Sequence, residues 1–402
     1  MDLISFLRQM IESSKWNFHK GLTFLFFLFI VLAIGVAIQK YFQSGTSFWG
    51  NEQTHYNNFI IFKNSFGHLF HHQNLYDLYE KEYGDFYKYS PTFAFLMAPF
   101  YLLPNFAGLL LWNFLNCVLI FWGIKKLPQI SDKTKFLILA FSIIELITSI
   151  QNQQSNALIA GLLLLAFALM EKQKTVLPTL LIMLCFYTKL TGILATVFFL
   201  FYEKKWKLIT WSVIWMLVLA ALPLLIISKQ EFVFQYQSWI NLLVNDHVQS
   251  AGVSIYGLLQ IFLSNAIPKN TILIIGIILF LVPLLKIKYF SQFNFRLNYF
   301  CSLLIWIVIF NHKAESSSYI LAFVACAIWY FTNEKTRLNT LIFVFCFLFI
   351  SLSPTDLFPK MIRNDFIVPY HLKALPAVLV WITITFRLLI DKNEKTISIK
   401  SV

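Results

Sequence analysis

GLTFLFFLFIVLAIGVAI, Gly21–Ile38, contains no charged side chain. Its reading decides the fold, because an apolar run of roughly 15–20 residues is the signature of a membrane-crossing helix. A polar head, Met1–Lys20, precedes it and no clear small-residue cleavage site follows, so it reads as a retained span rather than a signal peptide. Similar runs recur near Phe106–Ile124, Phe136–Ile150, Ala157–Met170, Leu208–Ile227, Thr271–Leu285, Tyr299–Phe310, Ser318–Phe331, Leu341–Ser353 and Ala374–Ile390. A bipartite stretch, Val176–Phe201, is broken at Tyr187, Thr188 and Lys189. Pro91–Leu103 is too short to cross at 1.5 Å per residue and reads as a re-entrant or tilted piece. The chain therefore reads as an all-α integral membrane protein with about 12 transmembrane helices in a single membrane domain spanning 1–402. Composition agrees: 58% of the 402 residues are apolar and 13% are charged, against about 25% charged in soluble domains.

The net charge of +13 raises nucleic acid as a partner, but its placement excludes the need for one. With a cytoplasmic N-terminus and strict alternation, the inner connections hold 21 Lys/Arg and 8 Asp/Glu, and the outer ones hold 11 of each. The whole surplus lies on one side, which is the positive-inside pattern. Both termini are then cytoplasmic, in an inner (plasma) membrane, and the working face is the outer, periplasmic one. That face receives a long first loop (39–90), a second (228–270), and seven of the eight histidines. The five cysteines all fall in apolar runs, so no disulfide framework or thiolate metal site is expected.

Six polar constellations reach the outer face. Glu52 and His55, followed by Asn57 and Asn58, offer a carboxylate or imidazole as general base; on the residues alone a solvated loop is the plainer reading. His68, His71 and His72 share one helical face, as a metal site requires, yet a surface helix is the plainer reading and no metal or cofactor is expected. Asp85, Lys88 and Tyr89 enter the re-entrant piece; they suit a phosphate and a sugar ring, or merely an interfacial anchor. Gln154 and Asn156 open a span whose free amides suit an anion or hydroxyl-rich ligand, although N-capping by Ser155 accounts for part of the pattern. Lys189 is isolated between apolar halves, where a cation is expensive; it reads as a phosphate counter-charge or as a snorkelling side chain. His312, Lys313 and Glu315 crowd one tight outer turn. Glu145 is a further lone acid near the outer end of its span.

No inner loop carries a nucleotide-binding glycine motif, which argues against an ATP-driven pump and against a cytosolic nucleotide-sugar donor. A lipid or sugar transporter without glycosyl transfer is the rival class. It calls for polar groups through the midplane and matching halves, whereas here they cluster at one face.

The order of motifs carries a resemblance. Leu75-Tyr76 and Tyr89-Ser90-Pro91 come first, then Gln154-Ser155-Asn156 and Lys189-Leu190-Thr191. A basic turn follows (Lys204, Lys205, Trp206, Lys207), then Ser254-Ile255-Tyr256-Gly257-Leu258-Leu259 and the His312 turn. From Phe48 to Ser318 the chain resembles glycosyltransferase family 87, the polyprenyl-phosphate-mannose-dependent mannosyltransferases of the GT-C fold. The resemblance implies a polyprenyl-phosphate sugar donor, a glycan or glycolipid acceptor, and inverting transfer of a hexose, mannose in that family. It also implies a single acidic base on the first outer loop. In those roles Lys189, His312 and Lys313 hold phosphate, while Gln154, Asn156 and Glu315 bind sugar hydroxyls. One departure stands out: the positions expected to hold the acid read His55-Tyr56-Asn57-Asn58, and Glu52 is the nearest carboxylate. The base is left open between Glu52, His55 and a residue elsewhere.

Overall fold

The computed structural model describes residues 17–48, 51–245, 251–263 and 267–390. Most of the head Met1–Lys20 lies outside them. Among the described residues the chain is helical, apart from an antiparallel hairpin of two three-residue strands, β1 (Thr46–Phe48) and β2 (Asn51–Gln53). Helices are the expected solution for apolar chain, because they satisfy their backbone hydrogen bonds internally.

Four helices among the described residues are long and apolar enough to cross a membrane: α1 (Phe18–Phe42), then Asn105–Lys125, Asp132–Gln151 and Lys205–Leu225. Eight shorter apolar helices accompany them. Along α1, Phe24, Phe27 and Val31 form an exposed stripe at helical spacing. Ile209, Val213 and Leu217 do the same on the Lys205 helix, and Ile274 and Ile278 on a later one. Such stripes fit lipid as the solvent.

After the hairpin the first loop folds into α2 (Asn57–Phe70) and a tyrosine-rich coil that ends at α3 (Pro91–Leu96) and α4 (Ala98–Tyr101). The 91–103 piece is thus two short helices. Tyr83 and Tyr87 are fully buried in this loop, and Tyr76 and Tyr87 donate their hydroxyls to the carbonyls of Tyr89 and Ser90. The loop is a packed element, not a solvated strand of polar chain.

The long segments follow as α5 (Asn105–Lys125), α6 (Asp132–Gln151), α7 (Asn156–Glu171), α8 (Val176–Thr188), a tight 3₁₀ helix Leu190–Phe201, and α9 (Lys205–Ala221). Then come α10 (Lys229–Asn245), α11 (Ile255–Leu263), α12 (Lys269–Leu281), α13 (Phe293–Ile309), α14 (Tyr319–Thr332), α15 (Arg337–Cys346) and α16 (Ala374–Ile390). Helices α5 and α7 approach backbone to backbone: a Cβ on Gly161 would collide with the Leu119 main chain. Close packing through small residues is how helices associate without a hydrophobic drive.

Hydrogen bonds sort the helix ends into two groups. At one end Arg296 on α13 forks onto Glu171 at the foot of α7, at 2.7 and 2.6 Å, and the Tyr202 hydroxyl donates to the same carboxylate at 2.6 Å. Asn333 bonds Asn298 there at 3.0 Å. The opposite end carries Gln154, Asn156, Lys189 and Glu315. Because Asn156 and Lys189 meet at that end while Glu171 and Tyr202 meet at the other, α7, α8 and the 3₁₀ helix run alternately up and down. The bipartite stretch is a hairpin of two antiparallel helices with Lys189 at its turn.

Candidate active site

Ser90 shows how the local sequence builds the site. Its hydroxyl accepts from Phe93 N–H at 3.1 Å and donates to the Tyr187 carbonyl at 2.6 Å, while Pro91 fills the first turn. This is an N-cap that also ties the first loop to α8. Tyr89 is thereby fixed one residue before the helix, its ring against Phe62 (4.8 Å) and Phe93 (5.0 Å). In the α6–α7 connection Gln153 adopts a positive φ of 48°, and its carbonyl accepts from Trp112 Nε1 at 2.9 Å. Gln154 and Asn156 are held buried beyond it. Lys189 sits in extended conformation between α8 and the 3₁₀ helix. The reversal needs Gly192, whose missing Cβ would stand 2.5 Å from the Cys185 carbonyl carbon. Glu315 and Ser317 come from the turn before α14, which is closed by a reciprocal Glu315–Ser318 capping box.

These groups join into one polar chain. Lys189 Nζ donates to Asn156 Oδ1 at 2.7 Å, and Asn156 Nδ2 reaches Ser317 Oγ at 3.5 Å. Ser317 donates to Glu315 Oε2 at 3.4 Å, Gln154 Nε2 donates to the same oxygen at 3.4 Å, and the Tyr89 hydroxyl donates to Gln154 Oε1 at 3.4 Å. Only the lysine contact is tight. The others are long, at 3.4 to 3.5 Å. Lys189 is held by an uncharged amide rather than an adjacent carboxylate, so desolvation pulls its ammonium down to about 8, partly opposed by the Glu315 charge. Burial pushes the Tyr89 phenol up, keeping it a donor.

A second contact, between a buried acid and a buried base, braces this cluster from behind. Lys373 Nζ bonds both Glu145 oxygens (3.1 and 3.3 Å), the Ser316 carbonyl (3.0 Å) and the Ser316 hydroxyl (2.8 Å). Both side chains are buried. Ser316, which Lys373 grips, lies between Glu315 and Ser317, so the entry to α16, itself anchored on Glu145 of α6, fixes the turn that supplies both.

Five residues singled out in the sequence, Tyr89, Gln154, Asn156, Lys189 and Glu315, are thus brought together. Ser317 joins them unannounced. His312 and Lys313 are half-buried in the Glu315 turn, where Ala314 accepts from Val253 N–H at 2.8 Å. Lys88 is half-buried next to Tyr89, and its carbonyl accepts from Trp239 Nε1 at 3.3 Å. Asp85 is exposed and caps the Phe86 N–H at 2.7 Å.

The first-loop residues have other partners. Asn57 donates to the Tyr83 carbonyl at 2.9 Å, and Asn58 to the Asn152 carbonyl at 2.9 Å. The latter holds the start of α2 against the connection that carries Gln154. His55 is half-buried in the turn before α2. Glu52 pairs with Ser47 across the hairpin, and its side chain falls outside the described residues. The three histidines do not converge: His68 pairs with Glu82 (3.1 Å), His71 with the Gly67 carbonyl (2.7 Å) and His72 with Glu231 (3.0 Å). Among the described residues no His/Cys/Asp/Glu group is placed to hold a metal. Ser155 occupies the N-cap position of α7 without capping it; Asn116 Oδ1 takes the Leu158 N–H instead, at 2.8 Å.

Buried amides, a cation, a phenol and an accessible carboxylate lined along one end of an apolar bundle suit a ligand with both hydroxyls and an anionic group. No curated protein matches the chain. The model of glycosyltransferase family 87 matches residues 86–354, which takes in Lys88, Tyr89, the whole polar chain and the His312 turn, and leaves Glu52 and His55 outside. With about two thirds of its length so matched, the chain belongs to glycosyltransferase family 87 and is a glycosyltransferase.

Proposed function

We propose that this protein transfers a hexose, mannose by its family, from a polyprenyl phosphate to a glycan or glycolipid hydroxyl on the outer face of the plasma membrane. The observation that carries this reading is the Lys189–Asn156–Ser317–Glu315–Gln154–Tyr89 chain at one end of a bundle with lipid-facing flanks. The twelve apolar helices act as one membrane domain, each crossing the bilayer, with the basic connections inside.

In this mechanism the donor is a phosphodiester carrying one negative charge. As the glycosidic bond to phosphate breaks, the leaving polyprenyl phosphate gains a second charge. Lys189, with His312 and Lys313 in the neighbouring turn, compensates that charge where it develops, which lowers the barrier. Gln154, Asn156 and Glu315 orient the sugar hydroxyls, and Tyr89 offers its ring and its donor. The acceptor oxygen attacks the anomeric carbon opposite the phosphate, with inversion, as a base removes its proton. Glu52 and His55 are the candidates for that base, on the loop that α2 and Asn58 hold against the Gln154 connection. The reaction needs no metal in this scheme.

Glu52→Gln and His55→Ala, made separately and together, locate the base. At least one of the three variants, the combined one included, loses roughly 10²-fold or more in transfer rate, with donor binding retained. Wild-type rates in all three would place the base elsewhere.

A further inference from the structure

Helix α7 begins with donors that nothing accepts. Ser155, Asn156 and Ala157 are buried, at 0%, 3% and 0% exposure. The Ser155 hydroxyl has no hydrogen-bond partner among the described residues, and neither do the N–H groups of Asn156 and Ala157. The first N–H groups of any helix lack an intrahelical acceptor, and at a surface water takes them. Buried and unpaired, each carries a desolvation cost that native folds seldom leave uncompensated. A remedy was at hand. Ser155 stands at the N-cap, where a serine ordinarily accepts from an N–H two or three residues on. Its φ of −81° and ψ of 6° depart from the extended form that capping uses, and its side chain caps nothing. Asn116 on α5 reaches across instead and takes the Leu158 N–H at 2.8 Å, while its own amide is held by the Trp112 carbonyl at 3.0 Å. Capping is delegated to a neighbouring helix, and the Ser155 hydroxyl stays available.

The surroundings of these donors are cationic and phenolic. Lys189 Nζ bonds Asn156 Oδ1 at 2.7 Å. Burial raises the pKa of the Tyr89 phenol, and the Ser155 hydroxyl close by pulls it back in part. Glu315, the acid of the cluster, is joined to this end through Gln154 and Ser317, at 3.4 Å each, rather than through Lys189. Backbone N–H groups donate only, and they stand at the positive end of a 16-residue helix beside an ammonium. That combination suits an anion better than a neutral hydroxyl.

We infer that the N-terminus of α7 is the seat of the donor's phosphate group, with the Ser155 hydroxyl and the Asn156 and Ala157 N–H groups donating to its non-bridging oxygens beside Lys189. This rests on the polyprenyl-phosphate reading above and adds Ser155 to it as a binding residue. Tyr89 and Lys189 are half-buried, and the phosphate enters past them. The donors are fixed in place before the bond to the sugar breaks, so they meet the charge that the phosphate gains as it leaves.

Isothermal titration calorimetry of the full chain in detergent tests this. The probes are farnesyl phosphate, which carries the phosphate and no sugar, and farnesol, its uncharged counterpart. The wild type binds farnesyl phosphate at least tenfold more tightly than farnesol. Ser155→Ala weakens farnesyl phosphate about tenfold, the scale of one hydrogen bond to a charged group, and leaves farnesol unchanged. It also melts at or above the wild-type temperature, because it deletes a buried hydroxyl that had no partner. If Ser155→Ala binds farnesyl phosphate as the wild type does, the inference falls while the donor reading stands. If the variant weakens both probes alike, or melts lower, the serine serves the fold and the inference falls as well. Inorganic phosphate binding as tightly as farnesyl phosphate marks a free-anion site and overturns it too. A wild type with no preference for the phosphate removes the donor reading and this site with it.

Discussion

Lys189 is held by an amide oxygen at 2.7 Å, and its charge is paid for by neither a buried carboxylate nor bulk water. That makes its protonation sensitive to pH in a range where the donor phosphodiester does not titrate. The folded-state pKa lies near 8, below the usual lysine value. The ammonium is therefore charged below pH 8 and is lost as pH rises through it. On this account kcat/KM for donor falls above about pH 8, because that parameter reports the free enzyme's ionisations. Lys189→Met lowers kcat/KM by about 10²-fold at neutral pH, the scale of one lost oxyanion partner, and abolishes the alkaline limb. Lys189→Arg keeps activity to higher pH. A limb that survives Lys189→Met would assign it to another group. Several of these residues were legible in the sequence because polar side chains are expensive in apolar chain: Lys189, Gln154 and Asn156 stand out for that reason. Ser317 did not, since one serine among Ser316, Ser317 and Ser318 has no signature until the turn is folded.

Among elements, the turn before α14 depends most on remote support. Lys373 lies 228 residues from Glu145 in sequence, yet the pair clamps Ser316 between α6 and α16. In the sequence Glu145 is only a lone acid near the outer end of its span; the partner that explains it sits at the end of a different loop, which no local pattern reveals. Lys373→Met leaves the Glu145 charge buried and uncompensated, a loss of about 3–5 kcal/mol, read as a lowered midpoint of thermal unfolding in detergent. Glu145→Gln/Lys373→Met removes both charges and recovers most of that stability. Because Ser316 loses its donor in either case, the double variant still transfers about tenfold more slowly, with the loss in kcat/KM. If the double variant is as unstable as the single one, the clamp is not an ion pair in energetic terms. The histidine trio teaches the complementary lesson. Helical spacing put three rings on one face, but Glu82, Gly67 and Glu231 each claimed one.

For the whole molecule, sidedness is the quantity that joins fold to chemistry. Counting Lys and Arg along an alternating chain sorted the connections into two groups. The hydrogen bonds sort the helix ends in the same way, with Glu171, Tyr202 and Arg296 at one end and Asn156, Lys189 and Glu315 at the other. The all-helical, apolar build was legible because lipid favours helices that satisfy their own backbone hydrogen bonds. The packed tyrosine loop and the β1–β2 hairpin were not, since loop structure answers to particular contacts rather than to hydropathy. All five native cysteines are buried, so introduced thiols report cleanly. Glu231→Cys labels with a membrane-impermeant maleimide in intact cells, and Lys126→Cys labels only after permeabilisation. The reverse pattern would invert the topology and remove the outer active site.

Donor choice tests the central claim most directly. Purified protein is given a panel of radiolabelled sugars, linked either to polyprenyl phosphate or to a nucleoside diphosphate, together with outer-face acceptor glycans, and the new glycosidic bond is counted. The account predicts transfer from a polyprenyl-phosphate hexose, with inverted configuration at the anomeric carbon, and none from a nucleotide sugar. Transfer from the nucleotide sugar alone would contradict it.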